Sequence, residues 1–459
     1  MLSNPRAPWN PDRRWADLLI ALLAVIALRA AAYTLLARAG ASHRPTERVS
    51  LQGRMLEVVL AGPRLLTGVP VAPKEWARAK DQLKEPWDRA LLAVLMAELG
   101  DADAARHLAG TPTGAAADPY RKAFAAAYED GPLPDRAARD ETRRRLGSGY
   151  AATLLEARLL DRDRADSTDR AERTEGTEWP DGTALRAEAR SALRVRLAAL
   201  GALGLVVLIL AAGGLVTGLY LWITRGRPPE RPLPAWGLSG RAAVLVFLGW
   251  FLTFFAAGNL AALLLLPWPT LRWAAVPLGS LLHAGVGVSL ICWAEGLGFR
   301  ELWRRVAPGP ALKNLGWAVA FLALAVTLVI AVTLASALVL KPDQSPQRDL
   351  QELLRGLSGW GPSLVMFAVV AGLAPMFEEL LFRGFILPVL ARRGRMALAL
   401  AVSALLFGAI HLQPAGLPTL GTLGLVLGLA VRQTGGLWPA ILVHAGWNGA
   451  IFLLMRAFA

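Results

Sequence analysis

Residues 361–385 read GPSLVMFAVVAGLAPMFEELLFRGF. At about 1.5 Å per residue such a run is long enough to cross the ~30 Å hydrocarbon core of a bilayer as one helix. It nevertheless carries two adjacent carboxylates, Glu378 and Glu379, and a guanidinium, Arg383. A charged group near the bilayer centre costs roughly 2.5–3.5 kcal/mol, so charges inside an apolar helix point to a functional site. Two further apolar stretches carry the remaining expensive groups, FGAIH at 407–411 and HAGWN at 444–448.

Outward from this stretch the apolar pattern repeats. Runs at about 197–223, 242–267, 274–294, 316–340, 397–412, 418–432 and 437–456 are candidate spans, and 18–36 is another near the N-terminus. The expected fold is all-α: a polytopic helical membrane bundle of about eight or nine transmembrane helices with an N-terminal soluble helical domain. Hydrophobic residues make up 54% of the 459-residue chain, more than an ordinary soluble domain carries. The formal net charge of +14 sits mostly in the N-terminal third and in short connections, where it suits lipid headgroups and topology control. The bilayer is thus an expected partner and nucleic acid is not, because no basic patch interleaved with aromatic residues is present. A single cysteine, Cys292, excludes an intrachain disulfide. The Ala, Arg and Leu bias points to a bacterial source.

The chain divides into four segments. Residues 1–38 form an N-terminal membrane anchor, since the apolar run exceeds the core of a cleaved signal. Residues 39–196 are rich in Ala, Arg, Asp and Glu, with Leu91, Leu92, Leu95, Met96 and Leu99 at helical spacing, and form a soluble helical domain. Within it, 90–105 and 150–161 faintly resemble tetratricopeptide helices, and 161–182 is a mixed-charge stretch read as a solvated helix end or a disordered linker. Residues 197–240 form a transmembrane helix and a Pro-rich linker, TRGRPPERPLPAW at 224–236, whose prolines rule out a continuing helix. Residues 241–459 form the membrane-embedded domain that holds the site.

Orientation follows from the short loops. With the N-terminus inside, cytoplasmic segments would carry Arg6, Arg13, Arg14, Arg225, Arg227, Arg231, Arg241, Arg300, Arg304, Arg305, Lys313, Arg392, Arg393, Arg395 and Arg432. Only Arg272, Lys341, Arg348, Arg355 and Arg456 would lie outside. The expected location is the bacterial cytoplasmic (inner) membrane, with residues 39–196 extracytoplasmic.

On a helix, Glu379 and Arg383 are four apart with the acid first, the favourable order for an ion pair. Glu378 points about 100° away and is left to project into the bundle as a general base. Pro375 should disrupt the turn before it and free the carbonyl of Ala371. Phe407 and His411 share a helix face, as do His444 and Asn448. An imidazole can hold a water beside Glu378, and a second imidazole with an amide can donate to a developing oxyanion. This set suits amide hydrolysis by activated water. Ser403 stands alone two turns before His411, and Cys292 has no motif around it, so nucleophilic catalysis is the weaker reading.

These residues resemble a known family, the CAAX-processing and Abi-type intramembrane proteases (CPBP), which include the type II prenyl-protein endopeptidases. Its marks are EExxxR, FxxxH and HxxxN in successive membrane helices, matched here by 378–383, 407–411 and 444–448. The resemblance implies an intramembrane endopeptidase acting on a membrane-associated protein or peptide. Glu378 and His411 would activate water, His444 and Asn448 would stabilise the oxyanion, and Glu379 with Arg383 would support the site. The family is described both as zinc-dependent and as metal-free. The residues leave both open, and Glu378, His411 and His444 are the ligand set for a divalent metal if one is used.

Plainer readings compete at each position. Polar side chains tie membrane helices together without catalysis, and a polar cluster serving only that end would make the protein a catalytically silent scaffold or substrate-binding protein. A transporter would want an inverted repeat, and none is visible. His283 reads as a packing histidine. Glu295 and Arg300 flank a helix end and read as interfacial, and Trp236, Trp268, Trp273 and Trp438 read as interfacial anchors. Gly421, Gly424 and Gly428 read as sites of close helix packing.

Overall fold

Long Ala, Leu and Val runs in an apolar solvent leave backbone groups no partner but each other, and the described residues form helices and loops with no strand among them. The computed structural model describes residues 13–41, 49–83, 85–99, 105–106, 108, 110, 117–147, 149–169, 182–225, 230–339, 354, 357, 359–392 and 394–458. Residues 100–104 of the first tetratricopeptide-like stretch, 170–181 of the mixed-charge stretch, 226–229 of the Pro-rich segment, and Arg6, Lys341, Arg348, Arg355 and Arg393 of the charge count lie outside them. The chain forms two compact units, one of residues 43–205 and one of residues 1–42 and 206–457.

The second of these opens with α1 (Arg13–Ala41), which covers the first apolar run. The unit of 43–205 contains α2 (Leu51–Thr67), α3 (Pro73–Gln82), α4 (Pro86–Leu99), α5 (Asp118–Tyr128), α6 (Arg136–Leu146), α7 (Tyr150–Asp169) and the start of α8 (Gly182–Ile223). Its centre is α4, on which Leu91, Leu92, Leu95 and Met96 are fully buried. Charge is buried there too. Asp88 accepts from the Ser50 N–H at 2.6 Å and from its hydroxyl at 2.5 Å, fixing the cap of α2. Glu57 accepts from the Ala151 N–H at 2.5 Å and faces Arg54 at 3.7 Å and Arg196 at 4.0 Å. Burial pushes its carboxyl above the ordinary glutamate range although both arginines pull the other way.

The larger unit continues with α9 (Gly240–Leu264), α10 (Ala275–Glu295), α11 (Phe299–Val306), α12 (Leu315–Val339), α13 (Trp360–Ala391), α14 (Met396–Ala409), α15 (Leu417–Thr434) and α16 (Trp438–Phe458). Among the described residues, seven helical stretches are long and apolar enough to cross a membrane: Gly182–Ile223, Gly240–Leu264, Thr270–Glu295, Phe299–Ser336, Trp360–Ala391, Pro414–Thr434 and Trp438–Ala457. The protein is an integral membrane protein. The run at 397–412 differs from expectation. Its helix, α14, has 14 residues, about 21 Å and short of the ~30 Å core. It stops because the chain turns at Leu412, which takes a left-handed φ of 51°. α9 packs on α1 and α10, and α15 packs on α12 and α14.

The segment before α9 also departs from the reading of a plain linker. Residues 232–239 have no regular secondary structure, yet they are tied down along their length. Glu295 is 7% exposed and accepts from the N–H groups of Gly237 and Leu238 at 3.0 Å each, so it is a buried staple rather than an interfacial charge. The Arg392 guanidinium donates to the carbonyls of Trp236 and Leu238. Trp236 itself is 6% exposed and lies within the apolar core, not at an interface.

Candidate active site

α13 is the helix that carries EExxxR, and it is not uniformly α-helical. It contains two π-helical stretches, Val369–Leu373 and Leu380–Ile386, on either side of Ala374–Glu379. The first is closed by the Ala374 N–H donating five residues back to the Val369 carbonyl. The next donor in that register would serve Val370, but it belongs to Pro375, which has none. Asn448 on α16 fills the gap, donating from Nδ2 to the Val370 carbonyl at 3.0 Å. The proline therefore orphans a carbonyl as expected, but the π register moves it from Ala371 to Val370. Asn448 keeps a second amide hydrogen.

Glu379 and Arg383 are fully buried and paired, with Arg383 Nη1 at 3.0 Å from Glu379 Oε1. Arg383 Nη2 donates to the Gly424 carbonyl on α15 at 2.8 Å, and its guanidinium carbon lies 4.3 Å from the centroid of the Phe407 ring. Gly424 suits this approach: a Cβ there would come within 3.1 Å of the Ala404 backbone and of Phe407, tighter than ordinary contact. Close packing was legible from the glycine spacing. That the bared carbonyl would serve Arg383 was not, since it requires a third helix.

His444 is 3% exposed. Its Nδ1 is 2.9 Å from Glu379 Oε1, and its Nε2 is 3.9 Å from Glu378 Oε2. A carboxylate accepts, so Nδ1–H donates to Glu379 and Nε2 is the nitrogen turned toward Glu378. The structure thus brings His444 between the two glutamates. Glu378 Oε2 is buried with no hydrogen-bond partner among the described residues, while the side chain as a whole is 22% exposed. His411 sits at the end of α14 with Nδ1 at 2.8 Å from the Phe407 carbonyl, which fixes Nδ1 as the protonated nitrogen.

Phe407 links these groups. Its ring is fully buried and meets the rings of His411 at 5.2 Å and His444 at 5.5 Å edge-on, besides lying under Arg383. An aromatic face opposite a desolvated guanidinium is favourable, and edge-on contacts fix ring planes. In the sequence Phe407 is only the first position of FxxxH; its role as the hub of three site residues depends on the fold. Ser403 is buried and its hydroxyl donates to the Phe382 carbonyl at 3.4 Å, a helix-tying contact. His283 packs on Trp250 with ring centroids 4.5 Å apart and meets the Thr253 hydroxyl at 3.1 Å. No three His, Cys, Asp or Glu side chains among the described residues are grouped as a metal ion would need.

Residues 360–450 match the family described as Type II CAAX prenyl endopeptidase Rce1-like. The match covers α13 to most of α16 and with them EExxxR, FxxxH and HxxxN. No curated protein and no solved structure matches the chain.

Proposed function

We propose that the protein is an intramembrane endopeptidase that hydrolyses a peptide bond of a membrane-associated protein or peptide with water activated by Glu378. The premise is the family match over 360–450, a family of membrane proteases. The observation that carries the reading is Glu378 Oε2, buried without a donor 3.9 Å from His444 Nε2, on a side chain that keeps 22% of its surface exposed. Glu379 Oε2 is likewise without a donor among the described residues, but Glu379 Oε1 is held by Arg383 and His444; a polar cluster that only tied helices together would not leave Glu378 partly exposed and without such a tie.

In this reading Glu378 takes a proton from water, with His411 holding the water from the ring nitrogen that Phe407 leaves unprotonated. The water oxygen adds to the scissile carbonyl, whose electrons move onto oxygen. The oxyanion is met by the second amide hydrogen of Asn448 and by His444 Nε2 when that ring is protonated, its charge balanced by Glu379 behind it. Collapse breaks the C–N bond, and Glu378 returns its proton to the leaving amine. Arg383 holds Glu379 in place through the 3.0 Å contact.

Topology belongs to the same proposal. The N-terminus is inside the bacterial inner membrane and 39–196 is extracytoplasmic, by the arginine asymmetry. The short α14 does not disturb the count, because its hairpin with α15 returns the chain to the side it left.

The test is a comparison of membrane peptides from cells producing the wild type or Glu378→Ala. Discrete products with new termini should appear only with the wild type. Identical peptide populations at equal protein levels would leave the scaffold reading instead.

A further inference from the structure

Pro388, the last of the three prolines of α13, raises the same accounting question as Pro375. The Leu387 N–H donates five residues back to the Phe382 carbonyl, so where the π stretch gives way to α-helix the missing N–H of Pro388 falls to the Arg383 carbonyl in the π register and, in the α register, to the Gly384 carbonyl. Its donor comes from outside the helix: Trp236 Nε1–H donates to it at 2.9 Å. Gly384 directly follows Arg383 within the π-helical stretch Leu380–Ile386. The Trp236 ring stands edge-on to Phe385 at 5.6 Å and lies 5.5 Å from the Arg305 guanidinium carbon. Glu295 and Arg392 hold the backbone of the same segment from both its N–H and its carbonyl sides. An extended segment this thoroughly tethered has few ways to move, so its indole N–H is presented to Gly384 at a fixed point.

We propose that residues 232–239 are a clasp on the site helix, and that Trp236 is a positioning residue that holds the π register of 380–386 and through it the placement of Arg383, Glu379 and Glu378. A buried carbonyl without a donor is costly. Without the indole, the least costly repair is for the helix to rewind around Pro388. Rewinding a π stretch changes the angular position of every side chain before it, by up to about 100° per residue of register. The clasp lies outside the matched residues 360–450, so this part of the apparatus comes from a segment to which the family match does not extend. The effect on turnover rests on the endopeptidase reading; the effect on the helix does not.

The test uses full-length protein in nanodiscs with Trp236→Phe, which keeps an aromatic ring and removes the N–H, and with the double variant Trp236→Phe/Pro388→Ala, which gives the helix a donor of its own at residue 388. Two quantities are read: hydrogen–deuterium exchange over 380–391, and turnover of a peptide whose cleavage requires Glu378. Trp236→Phe should raise exchange about tenfold and lower kcat about tenfold, with KM unchanged and only a small drop in the unfolding midpoint from the smaller ring and the lost bond. The added alanine should restore both. Wild-type exchange and kcat in Trp236→Phe would overturn the proposal, as would defects that persist in the double variant or a midpoint that falls in step with kcat. If Trp236→Phe does not fold, the double variant must, and its failure to do so would also overturn it. A wild type that cleaves nothing sinks the endopeptidase reading alone, because exchange still decides the clasp.

Discussion

Replacing Glu379 by Gln should destabilise the membrane unit far more than the same change at Glu378, although the two residues are adjacent. Glu379 and Arg383 have no exposed surface, and the 3.0 Å contact between them is the guanidinium's only ion pair within hydrogen-bond range among the described residues. With glutamine at 379, Arg383 keeps the Gly424 carbonyl and the face of Phe407, both uncharged partners, for a full buried charge. Removing one member of a buried pair costs about 3–5 kcal/mol, and the Glu379 bond to His444 weakens as well. Glu378 makes no hydrogen bond from Oε2 and is partly exposed, so Glu378→Gln should change stability by less than about 1 kcal/mol. Unfolding by SDS in mixed micelles measures both. Equal losses for the two variants would refute the division of the pair into a structural and a chemical carboxylate.

Phe407→Leu keeps an apolar side chain but removes the face under Arg383 and the edge contacts to His411 and His444; it should cost about 2 kcal/mol and lower kcat more than it raises KM, both measurable on one purified variant. In the unit of 43–205, the raised carboxyl of Glu57 means that the folded state binds its proton more tightly than the unfolded state. That stability is fully present below the ordinary glutamate range and is lost as pH rises through the higher folded value. Exchange of the α2 amides should therefore quicken with pH beyond the intrinsic rate, and Glu57→Gln should remove the excess. A cysteine placed at exposed Val69 in a Cys292→Ser background should react with an impermeant thiol reagent in intact cells, and protection there would overturn the proposed topology.

The site's ingredients were legible because membrane helices tolerate so few polar groups that each one is informative. The Glu379–Arg383 pair followed from spacing alone, since it depends on the geometry of one helix, and the glycine spacing of α15 marked a face for close packing without naming what packs there. What was not legible depended on helices meeting. The clamp of His444 between two glutamates, the Gly424 carbonyl under Arg383 and the ring of Phe407 among three site residues each require at least two elements in contact. The π register of α13 was hidden for a different reason: Pro375 signals a missing donor, but only the hydrogen-bond pattern says which carbonyl loses it. Trp236 and Glu295 were misread because their position near span ends suggests an interface, whereas the backbone of 232–239 folds inward and buries them.

The most direct test of the central claim is hydrolysis by purified protein in nanodiscs, using a peptide identified by its Glu378-dependent appearance in cells, alongside farnesylated and unmodified peptides ending in a CAAX sequence. Removing a general base should slow turnover by about 10²–10⁴-fold, so Glu378→Gln should lose essentially all cleavage of whichever peptide the wild type cuts while keeping the wild-type unfolding midpoint. Cleavage by Glu378→Gln at the wild-type rate would contradict the account.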